Sequence, residues 1–160
     1  MAKKINLTSA YQGWEYWYLY RKLYVALKYM ELPMINLIVD VDYSNAQYNK
    51  HHDFIAVGLS LIKEYFEDEI GQYLPIDFDT YRKKICFILF HEIAHYLQRS
   101  KYKKWVAHNN LITSKIKYEA DRGNFVITNE DYRNFKMEAN ADKIALILLA
   151  KFYGEDEKER

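Results

Sequence analysis

FILFHEIAHYLQ, residues 87–98, is the stretch on which the reading of the chain turns. It sets His91 and His95 four residues apart with Glu92 directly after the first. On a helix, residues four apart share a face with Cβ atoms about 6 Å apart, so two imidazoles can reach one metal ion while the glutamate reaches a water bound to it. With 5 histidines in 160 residues, an accidental H-E-x-x-H is expected in roughly one chain in a hundred. Structural zinc sites close with four protein ligands, whereas catalytic ones use three and keep a position for water. The question passed to the rest of the chain is what supplies the third.

Composition narrows the setting. A chain of 160 residues fits one domain, read as residues 1–154 followed by a charged tail, 155–160. Half the residues are apolar and 28% are charged, with a net charge of +1, which points away from disorder and from a strongly nucleic-acid-seeking surface. Cys86 is the one cysteine, so no disulfide forms within the chain and no cysteine cluster builds a structural zinc site; it reads as a small buried hydrophobe. Lys3 and Lys4 lead into INLTSAYQ rather than an apolar run, and ICFILF and IALILLA fall short of the ~18 residues of a membrane span. A soluble, cytoplasmic protein is expected.

Working outward from the motif, Asp79 is positioned to cap the helix that carries it, TYRKKICFILFHEIAHYLQRS. Upstream, Ser9 and Gln12 form a potential capping box for a helix ending at Leu32-Pro33, with Trp14, Trp17, Tyr18, Tyr24, Val25, Leu27 and Met30 on its apolar surface. INLIVDVDY, 35–43, and FIAVGLSLI, 54–62, read as strands of an antiparallel hairpin across a polar turn, 44–53, that contains His51 and His52; Gly58 marks a bulge or a close backbone approach. Residues 63–78 begin helix-like and break at Gly71 and Pro75. Downstream, 101–128 mixes signals, with a hairpin possible around Asp121 to Asn124. Lys101, Lys103 and Lys104 beside Trp105 could touch a phosphate backbone, although a solvated basic loop is the favoured reading. A last helix runs from Asn129 or Asp131 to Gly154, with Phe135, Ala141, Ile144, Ala145, Leu148, Leu149 and Phe152 facing the core.

In that helix Glu138 and Asp142 stand one turn apart. Glu138 is placed to be the third ligand and Asp142 to accept the outer ring N–H of a ligating histidine. The sequence here resembles the gluzincin metallopeptidases, in which H-E-x-x-H is followed by a glutamate ligand on a second helix. HEIAHYLQ with EANADKIALILLA is most similar to the small bacterial and phage ImmA/IrrE-type domains, although Ala94 stands where that family carries glycine. The resemblance implies an α+β, minimal zincin-like fold: an N-terminal helix, a small antiparallel sheet, the H-E-x-x-H helix and a C-terminal glutamate helix. It implies Zn²⁺ held by His91, His95 and Glu138, and a protein or peptide substrate. Gln98 and Lys101 occupy the glycine and third-histidine positions of a metzincin, which excludes that class. His108 is the alternative third ligand, as in SprT-like proteases; failing that, His108, Tyr118 and Tyr132 are the candidate transition-state donors.

The chemistry expected is hydrolysis of a peptide bond by metal-activated water with Glu92 as general base. A second reading keeps the site but not the turnover: a zincin-fold module that binds and sequesters a regulator or nuclease. A third, an accidental motif on a core helix, would bury two histidines and a glutamate without a cation to satisfy them.

Overall fold

Leu19, Leu23, Ala26 and Leu27 recur at three- and four-residue intervals, which gathers them on one stripe of a helix. They are the buried face of α1, Trp14–Tyr29, in a computed structural model that describes residues 9–74 and 76–157. The stripe is rotated from the expected one: Trp14, Trp17 and Tyr24 are about half exposed, and the aliphatic residues between them fill the core. Ser9 does not cap this helix. Its hydroxyl bonds both the N–H and the carbonyl of Val39 instead, and Gly13 takes the N-cap position. At the other end Leu32 N–H returns to Leu27 and Glu31 N–H to Lys28, with Glu31 in the left-handed region at φ 56°, so the helix closes where Leu32-Pro33 predicts.

The sheet corrects the expected antiparallel hairpin. β1, Asn36–Asp40, pairs in parallel with β3, Phe54–Gly58, and β2, Ala46–Asn49, pairs antiparallel on the other side of β3. The order β1-β3-β2 makes the sheet mixed and leaves β2 at an edge. β2 forms inside the segment read as a polar turn. Its tight connection to β3 is Lys50–Asp53, where Asn49 Oδ1 accepts the N–H groups of His51 and His52 and Asp53 sits at φ 49°. Gly58 is the close approach anticipated: a Cβ there would lie 2.1 Å from the Tyr43 carbonyl oxygen.

After a π-helical turn at Leu61–Tyr65 come α2, Phe66–Glu69, and a 3₁₀ turn at Gly71–Tyr73; Pro75 lies outside the described residues. α3, Tyr81–Lys101, is capped by Thr80, one residue later than expected, its hydroxyl accepting from Lys83 N–H. Residues 103–121 are the long helix α4, Lys103–Asp121, not strand or loop. Gly123 at φ 82° ends it: Asn124 N–H returns to Glu119 and Gly123 N–H to Ala120, so the glycine read as a hairpin turn is a helix stop. α5, Asn129–Asn134, opens with a capping box between Thr128 and Asp131. Phe135, at ψ 136°, then breaks the expected single helix, and α6 runs Lys136–Glu157, passing through Gly154 into the expected charged tail; residues 158–160 are outside the described ones.

The core lies between α1, the inner faces of β1 and β3, and α3, with Ala145, Leu148, Leu149 and Phe152 of α6 closing it. Cys86 is buried there with its thiol donating to the Tyr18 hydroxyl. α3 is central, packing against α1, the sheet and α6, so the motif helix is held on most of its circumference. Among the described residues no helix is long and apolar enough to cross a membrane.

Candidate metal centre

α3 and α6 pack along one another, and the contact brings the two sequence blocks together. His91 and His95 lie one turn apart on the α3 face turned to α6; Glu138 occupies the first turn of α6, where the helix dipole favours a carboxylate. The break at Phe135 is what puts that first turn here.

His91 Nε2 lies 3.1 Å from His95 Nε2 and 3.0 Å from Glu138 Oε2, and His95 Nε2 lies 3.3 Å from Glu138 Oε1. The outer nitrogens are both engaged: His91 Nδ1 is 2.8 Å from Asp142 Oδ1, and His95 Nδ1 is 2.9 Å from Gln98 Oε1. Gln98 donates from Nε2 to the Met137 carbonyl and to Asn140 Oδ1, which leaves its Oε1 as an acceptor and assigns the proton of a neutral His95 to Nδ1. The Asp142 carboxylate does the same for His91. With both protons turned outward, the two Nε2 lone pairs and a carboxylate converge on one point with no donor between them.

A single divalent cation resolves that convergence. Donors ~2.0–2.1 Å from a tetrahedral ion stand about 3.3 Å from one another, close to the separations observed. Charge points the same way: among the described residues Arg133 is the one fixed cation in ion-pair reach of Glu138 and Asp142, and with Glu92 beside them the carboxylates outnumber it, which favours a divalent ion. Among the described residues His91, His95 and Glu138 are the cluster able to hold a metal ion.

Without an ion, a proton takes its place. Burial disfavours the His91 imidazolium, but the hydrogen bonds to Asp142 and Glu138 outweigh it and raise its pKa to about 9. Burial also pushes Glu138 upward; its hydrogen bonds to His91 and His95 overcome this and hold it well below the carboxylate range. Glu92 is raised by burial against the opposing charges of His91 and His95, which suits a carboxylate that must accept a proton.

The cluster forms the base of a cleft of about 390 Å³. Its walls are β2 from Ala46 to Tyr48, the α4 face bearing Asn110 and Thr113, and the α5–α6 corner with Tyr132 and Arg133. Glu92 lines the cleft beside the ligands. The Tyr132 hydroxyl donates to Glu138 Oε1 at 3.3 Å, and burial followed by the Glu138 charge raises its pKa. Arg133 bonds Asp142 through one terminal nitrogen, sets the other 4.0 Å from Glu138, and keeps its Nε buried without a partner.

The structure thus brings together His91, Glu92, His95, Glu138, Asp142 and Tyr132. His108 and Tyr118 are exposed on α4 and line neither this cleft nor the cavity next to it; Tyr118 stacks under Arg122. His51 and His52 are exposed in the β2–β3 turn. Gln98 and Arg133 are site residues that the motif does not nominate. Gln98 carried a signal, its position three residues past His95 on the same helix face; Arg133 carried none. Comparison with family models, with curated proteins and with solved structures gives no match, so the site stands on its own residues and geometry.

Proposed function

We propose that this protein is a zinc-dependent hydrolase acting on peptide bonds, with His91, His95 and Glu138 as the metal ligands. The observation that carries this reading is the convergence of three lone-pair donors within 3.0–3.3 Å, both imidazoles turned the right way by Asp142 and Gln98. Zinc fits the mixed nitrogen and oxygen donor set, and when bound it supplies a Lewis acid that lowers the pKa of a water ligand toward ~7. Glu92, buried beside the ligands, accepts the proton of the attacking water and passes it to the leaving amine. The Tyr132 hydroxyl, lining the cleft beside Glu138, is the donor for charge developing on the carbonyl oxygen, with Arg133 next to it as a fixed cation. An extended chain is the fitting substrate because β2, an edge strand among the described residues, lines the cleft; the Tyr48 N–H already serves Glu92, and the remaining main-chain groups of that edge can pair with a peptide backbone.

Glu92→Gln is expected to bind zinc stoichiometrically while losing about 10²–10⁴-fold in turnover on a peptide mixture followed by mass spectrometry. His95→Ala and Glu138→Ala should lose the metal. Retained turnover in Glu92→Gln would sink the mechanism, and a cellular effect that survives this substitution would move the reading to a sequestering module.

A further inference from the structure

The cleft does not end beside the metal ligands. Tyr48, Arg99 and Asn110 line both it and a second cavity of about 360 Å³, bounded further by Lys50, Lys103 and Val106. One face of α4 runs past both: Lys103, Asn110 and Lys117 follow at intervals of seven, with Ala107 and Thr113 between, and all of them line one cavity or the other. From Lys103 to Lys117 this face is about 21 Å long, the span of roughly six residues of extended chain.

The charge along this path has one sign. Among the described residues, apart from Glu92 and Glu138, which belong to the hydrolytic centre, no acidic side chain lines either cavity. Arg99, Lys50, Lys103 and Lys117 do, and among the described residues none of these four forms an ion pair. Asp53, in the β2–β3 turn, acts on the Tyr48 hydroxyl without pairing to Arg99. The first turn of α4 adds to the positive potential, since no side chain caps it. The net charge of the chain is only +1, so this concentration is not the mark of a generally basic protein. Lys101 takes no part, its ammonium being bonded to the Met30 carbonyl.

We propose that the ligand of this cleft is an acidic, extended peptide segment. A carboxylate side chain meets Arg99, Lys50 and Lys103, and a second acidic position faces Lys117. Arg99 is one turn beyond His95, about 6 Å along α3, which places the first carboxylate about two residues from the bond at the metal centre. The term substrate rests on the hydrolase reading above; the binding preference does not. Nucleic acid would answer the same charges, but a peptide also pairs with the main-chain groups of the β2 edge that Glu92 does not engage, which a phosphodiester leaves unused.

The test uses the zinc-loaded full chain carrying Glu92→Gln and fluorescence anisotropy with three labelled probes. These are an alanine-based decapeptide with glutamate at every third position, its glutamine counterpart and a single-stranded DNA decamer. The glutamate peptide is expected to bind about tenfold more tightly than the glutamine peptide, with the gap closing as salt rises. Lys50→Glu with Lys103→Glu, both at exposed positions, should erase the preference without shifting the melting temperature, and Arg99→Gln should reduce it. Equal binding of the two peptides, no binding of either, or tighter binding of the DNA overturns the inference. Absence of cleavage by the wild-type zinc protein alongside an intact glutamate preference would overturn the hydrolase reading alone; cleavage indifferent to acidic residues would overturn this inference alone.

Discussion

His91 is the residue for which a proton and a metal ion compete. With its pKa raised from 6.5 to about 9, it is an imidazolium in the metal-free protein at neutral pH, so a bound metal must displace a proton. At pH 7.5 zinc uptake is therefore expected to release about one proton, read as a binding heat that changes with the ionisation enthalpy of the buffer. The sign for stability follows from the same shift. His91 contributes fully to the metal-free fold below pH 6.5, and that contribution is lost as pH rises toward about 9, while zinc affinity grows over the same window. Identical heats in all buffers would show a neutral His91. The two residues that orient the imidazoles have their own test: Asp142→Ala and Gln98→Ala should each weaken zinc binding about 10–100-fold in competition with a chromogenic chelator. Asp142 could be read from its place one turn after Glu138 on a long helix downstream of the motif; the spacing by itself would not do, since Glu64 and Asp68 share it. Arg133 could not, because a continuous helix over 129–154 would hold residues 133 and 142 about 13 Å apart along its axis. Only the break at Phe135 folds α5 back so that the guanidinium reaches the aspartate.

Among the elements, α3 and α6 are the ones the sequence states most clearly, because each carries a long buried stripe. β2 and α4 are obscure for one physical reason: both serve the cleft more than the core. β2 has the composition of a turn, AQYN, and is a strand only because β3 offers it a partner. α4 buries little beyond Val106 and Asn109, so its hydrophobic period is faint and the glycine after it looks like a hairpin turn. Nor does an alternating pattern say whether two strands run parallel, which is how β1 and β3 came to be expected as a hairpin. Gly58 couples this sheet to the site. A methyl group there meets the Tyr43 and Asn45 carbonyl oxygens, so Gly58→Ala is expected to cost about 1–3 kcal/mol in urea denaturation. It should also weaken peptide binding, since Asn45 to Tyr48 line the cleft. A variant as stable as wild type would show that the β1–β2 connection yields freely.

For the whole molecule, the candidate metal centre spans the packing of α3 on α6, so zinc binding there is expected to register in global stability. Zinc at a hundredfold excess over its dissociation constant should add about 2.7 kcal/mol to unfolding, with a matching rise in Tm that a chelator reverses. An unchanged Tm would mean that zinc does not bind the folded protein in preference to the unfolded chain. The chain divides its labour accordingly: α1, β1, β3 and the inner halves of α3 and α6 make the packed core beneath the cleft, while β2, α4 and α5 form its rim.

Gln98 has a consequence beyond orienting a histidine. Its carboxamide touches His95 on one side and the Met137 carbonyl and Asn140 on the other, so it works as an index pin between two sliding rods. A shift of α6 by a single residue, about 1.5 Å, would disengage it and pull Glu138 from both imidazoles at once. The floor of the cleft therefore has one working alignment, and adaptation to ligands of different shape falls to the rim.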